Sequence, residues 1–134
     1  MQLGAFSVSL PVADLAASMA FYDTLGFEMA GGDPDENWVV LRNGDTVIGL
    51  FQGMFTEPIL TFNPGHDQLN QEVDGFTDVR EIQARLLDAG IELSASTDPN
   101  GTDPAHIVLT DPDGNQIMVD QHRPHPDATE RAEG

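Results

Sequence analysis

Histidine is the side chain best suited to acid–base or metal chemistry near neutral pH, and this chain has four of them. His66 and His106 lie where strands are predicted to begin, so each is either an edge residue or a group for ligand contact or proton transfer. His122 and His125 fall in the polar C-terminal stretch, where we expect them to be solvated. Cysteine is absent, which excludes thiolate metal sites, disulfides and cysteine nucleophiles.

The segment LTDPDGNQIMVDQ (109–121) predicts the end of a strand, a tight turn and a returning strand. Val119 would face one side of the sheet, whereas Met118 and Asp120 would face the other. A carboxylate enclosed in a cavity can act as a general base, so Asp120 and Glu72 are candidates for that role. No phosphate-binding glycine loop, nucleophile elbow or pair of acids at diagnostic spacing accompanies them.

The net charge limits the partners of the chain. Five arginines, no lysine and 23 acidic residues give a formal charge of −18. Such a charge excludes nucleic acid and anionic membrane surfaces as partners. No apolar run reaches the roughly 20 residues that span a bilayer and no secretory signal is visible, so we expect a cytoplasmic protein. The charge indicates either ordinary acidic solubility or adaptation to molar salt, and the missing lysine favours adaptation to salt.

Hydrophobic periodicity predicts the same order of elements twice. The first half has a helix between Asp14 and Gly26 and four strands, over 5–12, 27–30, 37–43 and 46–51. The second half has a strand over 67–73, a helix that begins at Asp78, and further strands over 91–95, 105–111 and 115–121. The apolar stripe of this second helix is expected to contain Val79, Ile82, Leu86 and Leu87. Three aromatic residues are assigned to the core: Phe6, Phe21 and Phe27.

Two local sequence matches indicate an internal duplication. LGFEM (25–29) corresponds to AGIEL (89–93), and VVLRNGDTVIGL (39–50) corresponds to IVLTDPDGNQIMV (107–119). Both matches occur in the same order, with the predicted helices and hairpins in register. Each half is too small to bury its own core well, so we expect the halves to pack together, within one chain or between chains.

Two motifs, LPVADLAASMAFYDTLGFE and LTDPDGNQIMV, resemble the vicinal oxygen chelate superfamily, which contains glyoxalase I, extradiol dioxygenases, and fosfomycin- and bleomycin-resistance proteins. The resemblance covers about residues 3–122. It implies an α+β fold in which two tandem βαβββ modules form a curved mixed sheet around a cavity, with the helices outside. It also implies a homodimer, as in many relatives of this size. We expect one domain with a module over about 3–52, a linker over 53–66, a module over about 67–122 and a flexible acidic tail over 123–134.

In metal-dependent members of that superfamily, four positions on the cavity face bind one divalent cation through His, Gln or Glu. The resemblance places these positions at Ser7, Gly49, Gln68 and Met118. Serine is a poor ligand, glycine has no side chain and a thioether is too soft for these ions, so no metal cofactor is expected. An alternative alignment puts His66 at the third position, and a set of displaced ligands would comprise His66, Glu57 and His106.

The resemblance also implies which residues would line the cavity. They alternate onto the inner face of the sheet and comprise Ser7, Ser9, Gly49, Phe51, Gln68, Asn70, Met118 and Asp120. Trp38 belongs either to this pocket or to the core. Three functions stay open: a metal-free protein that binds a small, partly apolar or cationic ligand; a metal-dependent lyase, isomerase or dioxygenase; and an interaction module without chemistry.

Overall fold

The computed structural model describes residues 1–127 and divides the chain into two compact units. The first unit is Ser7–Leu60, and the second unit is Met1–Phe6 together with Thr61–Gly134. Residues 128–134, most of the predicted acidic tail, lie outside the described residues. Residues 1–127 contain seven strands and two α-helices, which confirms the α+β class. In that range no helix is long and apolar enough to cross a membrane.

The first unit has the predicted order of one strand, one helix and three strands. Its elements are β1 (Ala5–Val12, which begins in the second unit), α1 (Leu15–Thr24), β2 (Glu28–Asp33), β3 (Trp38–Asn43) and β4 (Thr46–Gln52). The strands lie in the order β2-β3-β4-β1. The sheet is mixed, because β1 pairs with β4 in parallel whereas β2, β3 and β4 pair in antiparallel fashion.

One face of the first unit's sheet packs against α1. Its core consists of Leu15, Val39, Leu41 and Leu50, with Met19, Tyr22 and Phe27 packed against it. The prediction that Phe21 belongs to the core is wrong, since this ring is 62% exposed, and the same prediction for Phe6 is wrong, since that side chain is 37% exposed. Residues 15, 19 and 22 form the buried stripe of the helix, and position 21 lies beside that stripe.

The second unit packs its helix on a shorter sheet. Its elements are β5 (Ile59–Asn63, which begins in the first unit), α2 (Val79–Asp88), β6 (Ala105–Thr110) and β7 (Gln116–Gln121), with the strand order β5-β7-β6. Val79, Ile82, Ile107 and Val119 form the core. The predicted stripe of α2 needs one correction, because Leu87 is 52% exposed and Arg80 and Gln83 are buried instead. Arg80 tolerates burial because its guanidinium contacts the Asp78 carboxylate at 3.1 Å.

Two strands predicted in the second half are absent from the structure. Residues 67–73 make only one isolated bridge, between His66 and Glu72, and residues 91–95 make only a bridge at Ala95. The strand before α2 is β5, which lies inside the predicted linker over 53–66.

The local hydrogen bonds of Asp67 explain why residues 67–73 do not extend. The Asp67 carboxylate accepts the backbone N–H groups of Leu69 and Gln71, at 3.0 and 2.9 Å. Such bonds from a short side chain offer the backbone an alternative to strand pairing. The segment therefore folds back as a turn, in which Asn70 adopts a left-handed conformation with φ 63°.

Both helices begin with the same arrangement of an aspartate and a glutamine. Asp14 and Asp78 are the N-caps, each accepting a backbone N–H from the first turn. The side-chain oxygen of Gln52, at the end of β4, accepts the N–H of Leu15 at 2.8 Å. Likewise Gln121, at the end of β7, accepts the N–H of Val79 at 2.7 Å. This repeated contact supports the internal duplication inferred from the two sequence matches.

Candidate functional site

The first unit carries an aromatic cluster on the sheet face that points away from α1. Trp38 and Phe51 are opposed residues on β3 and β4, and their rings stack with centroids 5.9 Å apart and planes 5° apart. The Phe55 ring lies 5.3 Å from that of Phe51. We call Trp38, Phe51 and Phe55 the aromatic platform.

The ring of Phe51 lies directly over Gly49. A Cβ atom added at Gly49 would meet Cε2 of Phe51 at 2.6 Å, so a larger residue there would displace the ring. Ser9 is the parallel strand partner of Gly49 and is only 7% exposed. The structure thus brings four predicted pocket residues onto one face of β1 and β4: Ser7, Ser9, Gly49 and Phe51.

In the second unit, β7 presents Met118 and Asp120 on the face opposite α2. Met118 is opposed to Val108 of β6, and Asp120 is opposed to His106. Val119 points the other way and is 2% exposed. This arrangement confirms the alternation predicted for the segment 109–121.

A connected polar group continues that face beyond the end of β7. His122 Nε2 lies 3.0 Å from Asp120 Oδ2, and His122 Nδ1 lies 3.3 Å from the side-chain nitrogen of Asn63. The same Asn63 nitrogen lies 3.2 Å from His66 Nδ1. We call His66, Asn63, Asp120 and His122 the histidine–asparagine cluster.

The surroundings shift the pKa values of His66 and His122 in opposite directions. The hydrogen bond to Asp120 raises the pKa of His122 above its ordinary value, although partial burial opposes the shift. Burial is the main cause that lowers the pKa of His66, with the positive charge of Arg123 as the next cause. Relative to an ordinary histidine, the neutral form is therefore favoured in His66 and the protonated form in His122.

Neither Asn63 nor the contacts of His122 were predicted from the sequence. Residues 118 and 120 were expected on one face, and the same alternation places residue 122 there, so a signal for His122 was present. Asn63 carried no such signal, because its strand was expected to be part of a linker. Its contacts with residues far along the chain exist only through tertiary structure.

Two further predicted pocket residues make backbone contacts or lie in a turn. The side-chain amide of Gln68 accepts the N–H of Phe6 at 2.8 Å and donates to the Phe6 carbonyl at 2.7 Å. Gln68 thereby pairs with the start of β1 as a strand residue would. Asn70 is exposed and lies in the turn that replaces the predicted strand.

The second unit also contains a cleft of about 380 Å³. Its lining combines the N-terminal segment with residues that follow β5, namely Gln2, Leu3, Gly4, Pro64, Gly65, His66, Asp67, Gln68, Val73, Phe76 and Thr77. Arg123 was predicted to begin a flexible tail. Its guanidinium instead donates to the carbonyls of Gly65 and Val73, both at 2.9 Å, and lies 4.9 Å from the centre of the Phe76 ring.

Side chains that could ligate a metal ion do not converge within residues 1–127. No three His, Asp or Glu side chains in that range form a group that could hold a metal ion. Of the displaced ligand set, Glu57 is exposed in the segment between β4 and β5, and His106 is exposed on β6.

Comparison with protein families gives one match that spans most of the chain. The family model of the Glyoxalase/Bleomycin resistance protein/Dioxygenase superfamily matches residues 4–119. Among curated proteins, no significant match was found.

Solved structures with the same fold have low sequence identity to this chain. A glyoxalase/bleomycin resistance protein/dioxygenase superfamily member from Vibrio splendidus 12B01 aligns with a TM-score of 0.59 and 18% identity, over 87% of this chain and 97% of its own. A variant of methylmalonyl-CoA epimerase from Streptomyces coelicolor aligns with a TM-score of 0.57 and 14% identity, over 90% and 99%. An extradiol ring-cleaving dioxygenase from B. fuscum aligns with a TM-score of 0.54 and 20% identity, over 91% of this chain and 32% of its own. At these identities, the likeness is one of fold alone.

Proposed function

Because the chain belongs to the Glyoxalase/Bleomycin resistance protein/Dioxygenase superfamily, we propose that it binds a small, partly apolar ligand without using a metal ion. The observation that carries this proposal is the Phe51 ring over Gly49, where a Cβ atom would lie 2.6 Å from the ring. At a position expected to hold a metal ligand, the first unit thus has an aromatic surface.

The donor atoms at the other expected positions support the same conclusion. Gln68 already uses both ends of its amide on the backbone of Phe6. Met118 offers a thioether, which is a soft ligand, and Ser7 offers a neutral hydroxyl. This set does not fit the borderline or hard divalent ions that the resemblance implies.

The platform favours an aromatic ligand, and the net charge favours a cationic one. Stacked aromatic side chains offer a flat apolar surface on which another ring can lie. The formal charge of −18 attracts cations at low salt. Ser9, beside Gly49 on β1, supplies a hydroxyl of the kind that orients a ligand in a mostly apolar pocket.

Fluorescence of Trp38 provides the test, because it is the only tryptophan in the chain and belongs to the platform. The protein would be titrated with benzamidine, benzyl alcohol and benzoate, which share a ring and differ in charge. We expect benzamidine to bind best at low salt and to lose its advantage over benzyl alcohol as salt screens the charge.

Two variants separate binding at the platform from general effects. Phe51→Leu should abolish the Trp38 response, whereas Phe6→Leu should preserve it, since Phe6 pairs with Phe62 in the second unit. Equal responses in the two variants, or no response to any of the three compounds, would contradict the proposal.

The metal content is tested on the same preparation. We expect no bound metal by plasma mass spectrometry after purification in molar salt without chelator or affinity histidines. Added Mn, Fe, Co, Ni or Zn should leave the unfolding temperature unchanged. One retained metal ion per chain, with stabilisation, would instead favour the metal-dependent lyase, isomerase or dioxygenase, and His66 would be the first residue to mutate.

The proposal includes a homodimer, as the resemblance implies, that works in the cytoplasm. Exposed apolar side chains on the first unit, Phe21, Leu25 and Met29, are consistent with self-association. Light scattering in molar salt should give twice the chain mass, and a monomer mass would contradict this part.

A further inference from the structure

One side chain, Arg123, contacts three residues that line the cleft of the second unit and holds them in place. Arg123 donates to the carbonyls of Gly65 and Val73 and lies against the Phe76 ring, and all three residues line the cleft. The Arg123 side chain is only 16% exposed. The cleft is therefore preorganised, which reduces the ordering that a ligand would have to impose.

Hydrogen bonds determine which ring nitrogen of His66 carries its hydrogen. The backbone N–H of His122 donates to Asn63 Oδ1 at 3.3 Å, which fixes the oxygen side of the Asn63 amide. The amino side of that amide therefore faces His66 Nδ1. An amide amino group donates and does not accept, so His66 Nδ1 must be the acceptor. Neutral His66 then carries its hydrogen on Nε2.

Several other polar groups of the cleft lining already have partners. Asp67 accepts two backbone N–H groups, and the Gln68 amide pairs with the backbone of Phe6. Thr77 Oγ1 accepts the N–H of Gln2 at 3.4 Å. Among residues 1–127, by contrast, His66 Nε2 has no hydrogen-bond acceptor.

The charges and surface of the cleft define the ligand chemistry. Leu3, Pro64, Val73 and Phe76 supply apolar surface. The positive charge of Arg123 offsets the carboxylates of Asp67 in the lining and of Glu72, so the nearby charges strongly favour neither an anion nor a cation. A single hydrogen-bond donor, His66 Nε2, among apolar walls suits a neutral molecule with one acceptor oxygen.

We propose that this cleft is a second ligand site, in which His66 donates a hydrogen bond from Nε2 to the carbonyl oxygen of a neutral, partly apolar molecule. Asn63 is a positioning residue, since it fixes the His66 tautomer without lining the cleft. Arg123 positions the walls. The site uses residues of the second unit alone and does not involve the aromatic platform.

The first test is the tautomer itself, measured on the unmodified protein. Nitrogen-15 chemical shifts of the His66 ring at neutral pH should show hydrogen on Nε2 and a bare Nδ1. Hydrogen on Nδ1 would overturn the proposal.

The second test uses cyclohexanone as a neutral carbonyl probe and cyclohexanecarboxylate as its charged counterpart. Millimolar cyclohexanone should shift the His66 Nε2 resonance and the amide resonances of Gly65 and Phe76, in a saturable manner. Cyclohexanecarboxylate should bind more weakly, and neither compound should change Trp38 fluorescence through this site. Shifts by the carboxylate that equal those by the ketone, or no saturable shift with the ketone, would overturn the proposal.

Variants test the role of the donor. His66→Phe keeps a ring and removes the donor, so the affinity for cyclohexanone should fall about tenfold. Asn63→Leu frees the tautomer and should cause a smaller loss, with both ring nitrogens partly protonated in the nitrogen-15 spectrum. His125→Phe is the control, since that histidine does not line the cleft. Unchanged affinity in folded His66→Phe would overturn the proposal.

Discussion

At the scale of single residues, Gly49 determines where the Phe51 ring can lie in the first unit. Most side chains at this position would push the Phe51 ring out of its stack with Trp38, because even a Cβ atom would be too close. At the position where the resemblance implies a metal ligand, the absence of a side chain leaves the space that the Phe51 ring occupies. The resemblance placed Gly49 at an expected ligand position, and only the structure shows that the Phe51 ring packs over this residue.

We expect Gly49→Ala to move the Phe51 ring, to change Trp38 emission and to cost about 1–2 kcal/mol of stability. Gly31→Ala is the matched control, since its Cβ would meet Val40 at an ordinary 3.8 Å. That variant should preserve the emission spectrum. Emission and urea unfolding of both variants provide the measurement, and an unchanged spectrum in Gly49→Ala would mean that the ring does not cover position 49 in solution.

The pair of His122 and Asp120 predicts a pH dependence. The hydrogen bond to Asp120 raises the pKa of His122 in the folded state, so its contribution is fully present below the unfolded value of 6.5 and is lost as the pH rises through the folded pKa. The contribution is small because His122 is 61% exposed. Asp120→Asn should lower the pKa of His122, as measured by NMR titration, and a pKa that does not fall would show that Asp120 is not its partner.

The contribution of His66 to stability has the opposite pH dependence. Burial, and then the charge of Arg123, lower the pKa of His66, so the contribution of its neutral form is present above pH 6.5 and is lost as the pH falls through the folded pKa. In the same titration, His66 should protonate at a lower pH than His122. The reverse order would contradict the environments described for the two rings.

At the scale of elements, the two helix starts resemble each other in geometry but differ in burial. Within residues 1–127, the side chain of Gln52 makes one hydrogen bond, which it accepts from the N–H of Leu15. Gln121 is 1% exposed and bonds to the N–H of Val79, to the Asp78 carboxylate at 2.7 Å and to the Arg123 carbonyl at 3.0 Å. The copy in the second unit thus carries a larger buried polar network.

We expect Gln121→Leu to cost about 2–4 kcal/mol of stability, because it leaves the buried Asp78 carboxylate and Val79 N–H without that partner. Gln52→Leu should cost about 1 kcal/mol, as the loss of a single cap contact does. Urea unfolding of the two variants measures the difference. Equal losses would mean that burial does not amplify the cost at Gln121.

At the scale of the whole molecule, the formal charge of −18 predicts that stability depends strongly on salt. Repulsion between like charges destabilises the compact state, and salt weakens it by shortening the screening length to about 10 Å at 0.1 M and about 3 Å at 1 M. The hypothesis of adaptation to molar salt stays a prediction, and it concerns the habitat of the protein rather than its ligand.

We expect the unfolding temperature to rise steeply as KCl is added from low concentration, and more than it does with sucrose at equal osmolality. Sucrose is the control because it acts by exclusion from the protein surface and does not screen charge. Calorimetry provides the measurement. Equal effects of the two solutes would show that repulsion between charges does not limit stability.

The sequence by itself determined the α+β class, the first unit and the identity of the residues on its inner strand faces. Local signals sufficed there. Alternation places Ser7, Ser9, Gly49 and Phe51 on one face. Asp14 caps its helix by accepting an N–H from a residue only three positions along the chain. The same alternation predicted Met118 and Asp120 correctly on β7.

Only the tertiary structure decided which strand precedes α2 and which distant residues meet in the second unit. The segment 67–73 has a strand-like composition, yet hydrogen bonds to the Asp67 carboxylate stabilise a turn there. The strand before α2 is β5 instead. Asn63 and His122 meet across 59 positions of the chain, and Arg123 reaches back to Gly65 across 58. Contacts between residues so far apart depend on how strands pair and turn in space, and periodicity within one segment carries no information about them.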